Sequence, residues 1–284
     1  MKAPAFAYVK PAALGEVFDL LERHGADAQL LAGGQSLIPA LNMRLSSPAL
    51  LIDITGIAQL AGIRLHGAAV RIGALATHAE IGRSGEIAEH APLLAQAVPH
   101  IAHVAIRNVG TLGGSLALGD PAAEYPACAV ALDATLVIAS KRGERRARAC
   151  EFFKGLYQTD LAAGEVLIAA EFPASGAGYR SAFLELTRRH GDYAIVGVGA
   201  HARVAGGKLT DVRLAFLGAG VRPVLATNAA AAVEGRALAP DIVAAAQAAL
   251  AKDLDPPADL YTSSAAKLHL ARVLTGRALA SLAA

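Results

Sequence analysis

The feature that most constrains this chain is a strand–glycine–helix–strand order near its N-terminus. Ala28–Ala32 reads as a short buried strand, Gly33-Gly34 as its turn, Leu37–Arg44 as a helix opening directly afterwards, and Leu50–Ile54 as a second strand. That is the order of a small α/β unit. A loop so placed also suits an anion. Glycine lets backbone N–H groups approach closely, and the helix behind it adds the positive end of its dipole. Ala32-Gly33-Gly34-Gln35-Ser36 meets the description, with Gln35 and Ser36 as further side-chain donors. Thr111-Leu112-Gly113-Gly114-Ser115 is a second such loop, with Arg107 and Asn108 just upstream. Taken singly, either Gly-Gly pair equally describes an ordinary tight turn.

Elsewhere the pattern is mixed. Leu14, Val17, Phe18, Leu20 and Leu21 recur at helical spacing before Gly25. Ile63–Leu65 and Ala69–Ile72 predict a hairpin turning at His66-Gly67, and Thr77 with Glu80 predicts a capping box. Ile87–Ala102 reads as mostly helical with breaks at Pro92 and Pro99, Arg107–Asp120 as loop, and Glu124–Leu132 as helix. Thr135–Ala139, Arg146–Cys150 and Val166–Phe172 read as strands, and Pro173–Gly178 as a linker. Beyond it Ser181–Leu186, Ala194–Val204 and Val212–Leu217 are strand-like, with a turn at Gly206-Gly207. The rest, from Thr227, is Ala-rich and helical, ending in a helix near Ser264–Leu282. Strands followed by helices predict an α+β domain after the linker.

With 284 residues, 54% hydrophobic and 18% charged, the chain has one or two domains and ample apolar material for a core. A net charge of +2 gives no reason for a nucleic-acid partner. No h-region opens the sequence, and no run of about 18 uncharged apolar residues predicts a membrane span. Two cysteines, Cys128 and Cys150, cannot build a four-thiolate iron–sulfur cluster, and as free thiols they fit the cytoplasm. Cys128 reads as a small buried hydrophobe.

Three weaker signals are set aside. Gly197-Val198-Gly199-Ala200-His201-Ala202 matches a G-x-G-x-x-A fingerprint but continues as a strand into a glycine turn, where a dinucleotide site needs a helix. His100 and His103 have metal-like spacing without a third ligand close by. Lys141, Arg142, Arg145, Arg146 and Arg148 read as a solvated basic surface at a hairpin, with docking of a partner as the lesser reading.

Ala-Gly-Gly-Gln-Ser at 32–36 and Ile-Arg-Asn-Val-Gly-Thr-Leu-Gly-Gly-Ser at 106–115 together carry a resemblance. Asp120-Pro121-Ala122-Ala123-Glu124, Ile72-Gly73-Ala74 running into Thr77–Ile81, and Arg188–Ala194 support it. The chain resembles the medium, FAD-binding subunit of the carbon monoxide dehydrogenase and xanthine dehydrogenase group of molybdenum hydroxylases, over nearly its whole length. The resemblance implies an α+β architecture: a two-subdomain PCMH-type (vanillyl-alcohol-oxidase-like) FAD-binding domain over 1–176, divided near 55, then a smaller C-terminal domain over 177–284.

It also implies site residues. Leu30, Leu31, Ala32, Gly33, Gly34, Gln35, Ser36 and Leu37 would wrap the pyrophosphate and ribityl region of a non-covalent FAD with Gly110, Thr111, Leu112, Gly113, Gly114 and Ser115. Ile101 or Ala102 would lie along the cofactor, Glu124 would accept hydrogen bonds from it, Leu167 would pack nearby, and Tyr193 would stand beside the isoalloxazine. Some relatives carry a lysine near 184 or 185; here those are Leu184 and Glu185. Arg107 is open between a phosphate and a structural carboxylate. The implied partners are a small subunit with [2Fe-2S] clusters and a large molybdopterin subunit, in a dimer of heterotrimers. The implied role is electron relay, which needs no catalytic side chain and no metal held by this chain. The alternatives are a self-sufficient flavin oxidase or dehydrogenase of the PCMH class, and a binding module that merely resembles the family.

Overall fold

A computed structural model describes residues 2–284. The N-terminal unit holds β1 (Ala7–Val9), α1 (Leu14–His24), β2 (Ala28–Leu31), α2 (Leu37–Asn42) and β3 (Leu50–Asp53). Its three strands run parallel in the order β1-β3-β2, with Leu31 opposite Asp53. This fixes the C-terminal end of β2, where the first glycine loop leaves the sheet. Helix α2 stops two residues short of the sequence expectation because Arg44 takes a left-handed φ of 59°.

The second unit begins with β4 (Ile63–His66) and β5 (Ala69–Gly73) and continues through α3 (His78–Arg83), α4 (Gly85–His90), α5 (Pro92–Ala97), α6 (Val104–Arg107), α7 (Leu112–Leu118) and α8 (Glu124–Ala131). It closes with β6 (Thr135–Ser140), β7 (Gly143–Arg148), α9 (Ala149–Phe152), β8 (Phe153–Gly155), β9 (Gln158–Thr159) and β10 (Val166–Pro173). The main sheet has the order β4-β5-β10-β6-β7, and β10 is antiparallel to both neighbours. Its central strands are apolar on both faces because both faces are covered. Val137, Ala139, Val166 and Ile168 pack with Leu50 and Ile52 of the first unit. Leu136, Ile138, Leu167 and Phe172 pack with the helices on the other side.

Two expectations change here. Arg107–Asp120, expected as loop, is largely helical, with α7 running through Gly113 and Gly114. Strand β7 lies three residues upstream of the predicted start at Arg146, because Gly143 makes the turn at a φ of 119° and Cys150 enters α9.

The third unit contains β11 (Tyr179–Thr187), β12 (Ala194–Ala205), β13 (Lys208–Leu217), β14 (Val224–Leu225), α10 (Thr227–Val233), β15 (Arg236–Ala237), α11 (Pro240–Asp253) and α12 (Ser264–Ala283). The sheet runs β11-β12-β13-β14, with β15 beside β13, and the three helices cover one face. The other face meets the second unit. There the Gln96 amide receives the Phe183 N–H at 2.9 Å, Gly218 N–H donates to Pro121 O at 2.8 Å, and Arg213 donates to the Val130 and Ala131 carbonyls. The 197–202 fingerprint lies inside β12, as a strand.

The basic hairpin is paired rather than merely solvated. Lys141 meets Asp19 and Glu22, Arg145 meets Asp160 and Glu165, Arg146 meets Glu171, and Arg148 meets Asp133. These acids come from separate elements, so the hairpin ties the sheet to its surroundings.

Candidate flavin site

The two glycine loops meet. A Cβ placed on Gly33 would lie 2.8 Å from Gly110 Cα and 2.9 Å from the carbonyl carbon of Val109, and closer still to that carbonyl's oxygen. Only glycine allows this backbone-to-backbone approach.

The loops are nevertheless unlike. Among the described residues, the N–H groups of Gly33, Gly34, Gln35, Ser36 and Leu37 donate to no backbone carbonyl. The helix behind them closes its first bonds from Ile38 to Gly34 O and from Ala40 to Ser36 O. Gln35 turns its amide back to Gly33 O at 2.8 Å, so its Nε2 is already in use. Gln35 and Ser36 are exposed, Leu30 to Gly34 and Leu37 are half-buried, and Gly34 has a φ of +68°.

In the second loop the donors are committed. Gly110 N–H binds Ile106 O at 2.7 Å, Leu112 binds Ala76 O at 2.9 Å, Gly113 binds Ala74 O at 2.8 Å, and Ser115 binds Thr111 O at 3.1 Å. The Thr111 hydroxyl accepts from Gly114 N–H at 3.1 Å as the cap of α7. His78 N–H reaches Gly110 O, and Thr77 bridges Thr111 across the same seam. Gly113 is glycine because its Cβ would sit 2.5 Å from that of Ala74. Thus Leu112 and Gly113 are buried and structural, while Gly114 is exposed and Ser115 half-buried at the surface. The two loops, alike in sequence, thus differ in structure: the first has N–H groups without backbone acceptors, and the second is braced through its own. The brace, residues 74–78, begins at β5 and carries the Thr77–Glu80 capping box.

Arg107 forms no ion pair with a carboxylate among the described residues. Its Nη1 donates to the carbonyls of Ile101 and Ala102, both at 2.8 Å. It thereby holds a turn in which Ala102 has a φ of 40°. Ile101 is buried and Ala102 half-buried. Gly191, in the loop after β11, packs on this turn, with room for no Cβ against Ala102 O at 2.7 Å. The same loop carries Tyr193, which is 73% exposed, so no protein side chain covers most of its ring. Sequence reading missed the clamp by Arg107, which depends on the positive-φ turn at Ala102, and the seat of Gly191, which depends on a contact between units.

Glu124 opens α8, and burial, with Asp120 adding repulsion, pushes its carboxyl up to about 7. Glu185 stands at one of the positions where some relatives carry lysine. Both its carboxylate oxygens are buried and have no hydrogen-bond partner, and burial, with Glu124 adding repulsion, pushes it up to about 8. Cys128 is fully buried among apolar neighbours. Leu167 lies in the core cluster with Leu112 and Leu116, on the inner side of α7. Among the described residues no group of His, Cys, Asp and Glu could hold a metal ion, and His100 instead packs on the Phe183 ring.

Residues 4–175 match the model of the FAD binding domain in molybdopterin dehydrogenase. The chain belongs to that family. Residues 181–282 match the CO dehydrogenase flavoprotein C-terminal domain. The chain is 38% identical to the nicotine 6-hydroxylase medium subunit of Paenarthrobacter nicotinovorans, over 98% of each chain. It is 35% identical to the carbon monoxide dehydrogenase medium chain of Hydrogenophaga pseudoflava, over 98% of this chain and 97% of that one. Among solved structures, the H. pseudoflava carbon monoxide dehydrogenase that lacks the Mo-pyranopterin moiety superposes with a TM-score of 0.97, at 37% identity, covering 99% of this chain and 98% of that chain. Quinoline 2-oxidoreductase of Pseudomonas putida 86 superposes with a TM-score of 0.94, at 38% identity, covering 100% and 98%. An α+β chain with an FAD-binding domain and a flavoprotein C-terminal domain is what this family membership means. No helix among the described residues is long and apolar enough to cross a membrane.

Proposed function

We propose that this chain is the FAD-holding electron-transfer subunit of a molybdenum hydroxylase complex, receiving electrons from [2Fe-2S] clusters of a small partner subunit and passing them to an external acceptor. The observation that carries this is the seam at Gly33 and Gly110, which sets five backbone N–H groups without a carbonyl acceptor against a braced second loop. Such a row of donors fits a pyrophosphate, which brings acceptor oxygens and two negative charges. The residues present therefore fit FAD.

The assignments follow from what each group has free. Residues 33–37 would hold the pyrophosphate through the main chain, with Leu30, Leu31 and Ala32 beneath. Gly110 to Ser115 would give shape and hold the wall in place, with the Thr111 N–H and the Ser115 hydroxyl as its remaining donors. The Ile101–Ala102 turn, fixed by Arg107, would carry the cofactor's edge, and Tyr193 would cover a ring face. Leu167 would act by supporting α7 from the core. Glu124 would accept a hydrogen bond when ionised and donate one when protonated. A bound flavin supplies a carrier that takes electrons singly or in pairs. The protein's part is to bind, orient and set the local charge, and substrate oxidation falls to the molybdopterin subunit. Pro173–Gly178 would join the two domains. A cytoplasmic dimer of heterotrimers is the assembly that fits this reading.

The test is purification of the chain alone and after co-expression with a small [2Fe-2S] and a large molybdopterin subunit. The isolated chain should be yellow, release FAD on denaturation and contain neither iron nor molybdenum. A colourless chain that takes up no added FAD would overturn the reading. Substrate turnover by the isolated chain would favour a self-sufficient oxidase instead.

A further inference from the structure

On one face of β11, Phe183 packs into the core shared with the second unit, and Glu185 follows two residues later on the same face. The alternate residues Ala182, Leu184 and Leu186 turn to the helices of the third unit. Glu185 therefore points toward α8. There Glu124 and Cys128 stand four residues apart on one helical face. Both oxygens of Glu185 are shielded from solvent, yet no donor reaches them. Buried carboxylates without donors are rare and call for an explanation.

Resting on the flavin reading above, we propose that Glu124 and Glu185 titrate as one coupled pair and that protonation of the pair is linked to the charge on the bound flavin. Two carboxyls in one desolvated site cannot both ionise at low cost. Neither forms an ion pair with Lys, Arg or His among the described residues. The groups facing them are Asp120, Tyr125 and Cys128 on or beside α8 and Tyr193 in the loop after β11; Tyr157 in the β8–β9 turn stands beside Asp120 and Tyr193, and Arg107 on α6 and His78 on α3, which burial lowers to about 4, stand beside Tyr125. Burial and the two glutamates keep the Cys128 thiol protonated, and Tyr125 and Tyr193 are likewise held above their usual range. Arg107, beside Tyr125, spends its Nη1 on backbone carbonyls. Burial pushes the two glutamates up to about 7 and about 8, so the pair changes charge near neutrality. Reduction adds negative charge to a flavin, which favours the protonated pair. A carboxylate then binds a proton from solvent, forming one O–H bond, while the electrons come from the partner's iron–sulfur clusters or a chemical reductant.

The experiment is a redox titration of the FAD-loaded full chain between pH 6 and pH 9, in the wild type, E185Q and E124Q, at roughly half-unit steps. The wild type should take up an additional fraction of a proton per flavin reduced between about pH 7 and pH 8. E185Q should lose that uptake while keeping its FAD. Identical pH dependence in wild type and E185Q overturns the coupling and leaves the cofactor assignment standing. A chain that binds no FAD overturns both. Infrared spectra of the wild type supply a second arm that needs no variant to fold: a protonated carboxyl band at pH 6.5 should fade toward pH 9. Its absence at pH 6.5 overturns the protonation of the pair.

Discussion

Replacing Gly33 by alanine is the sharpest perturbation the geometry offers. The new Cβ would lie 2.8 Å from Gly110 Cα and 2.9 Å from Val109 C. Ordinary contact between carbons needs about 3.5–4.0 Å, so the loops must part by roughly 1 Å. Neither obstacle is a flexible side chain. Gly110 is pinned through its N–H to Ile106 O and through its carbonyl to His78 N–H, so the strain cannot be shed cheaply. Overpacking of this kind costs about 1–3 kcal/mol, and the rigid partners place G33A at the upper end. If the displacement falls on the cofactor cleft, about 3 kcal/mol is roughly a hundredfold loss of FAD affinity.

Gly114→Ala is the control. It stands on the exposed side of α7, and its Cβ would meet only the Thr111 Oγ1, at 3.0 Å. Alanine is the better helix former there, which offsets part of that contact. FAD bound per chain after gel filtration, read alongside urea unfolding, separates binding from folding. G33A should fold and lose FAD, and G114A should keep most of it. Equal retention in the two variants, or greater loss in G114A, would refute the inference that the loops differ in kind.

Other outcomes follow from the same geometry. Thr111→Ala removes the hydroxyl that caps Gly114 N–H and should cost about 1 kcal/mol of stability in urea unfolding, whereas Thr111→Ser should restore most of it. Arg107→Met leaves the carbonyls of Ile101 and Ala102 without their charged donor; a loss of about 2–3 kcal/mol and a shifted flavin spectrum are expected, and an unchanged spectrum would dissociate the turn from the cofactor. His201 is lowered to about 4 by burial, with Asp211 opposing and Arg213 reinforcing. The neutral form is the folded form, so its stability is intact above the unfolded pKa of 6.5 and is lost as pH falls toward 4. Linkage puts that loss at about 2 kcal/mol by pH 5, so H201Q should destabilise less than the wild type between pH 7 and pH 5 by about that amount in urea midpoints.

The strand–glycine–helix unit was legible because its signals are local: an apolar run, a turn residue and a helical period lie within 28–54. So was the Thr77 capping box, where both partners fall within three residues. Helix α7 was not, because two glycines within seven residues oppose helix by about 1 kcal/mol each. Packing against Ala74 overrides that preference, and Ala74 is remote in sequence. The basic hairpin read as solvated because its carboxylates lie as far away as Asp19 and Glu22. The sequence offers Arg107 either a phosphate or a structural carboxylate, and no carboxylate partner stands beside it among the described residues. A turn with positive φ at Ala102 instead exposes two carbonyls, and no sequence pattern announces such a turn.

Two Gly-Gly pairs that look alike in sequence therefore differ in physical role. In the first loop, glycine serves the ligand side: Gly33 lets the chain reach the opposite wall while the N–H groups that follow stay uncommitted. In the second, glycine serves the protein side: Gly113 admits the close approach of Ala74, and the N–H groups beside it are already bonded. A loop whose donors are all free would need the ligand to order it, and a loop whose donors are all committed could bind little through its main chain. Placing one of each across a single seam lets the braced loop hold the open one in shape before the cofactor arrives. The entropy of ordering is then met during folding, and more of the pyrophosphate's interaction remains as affinity.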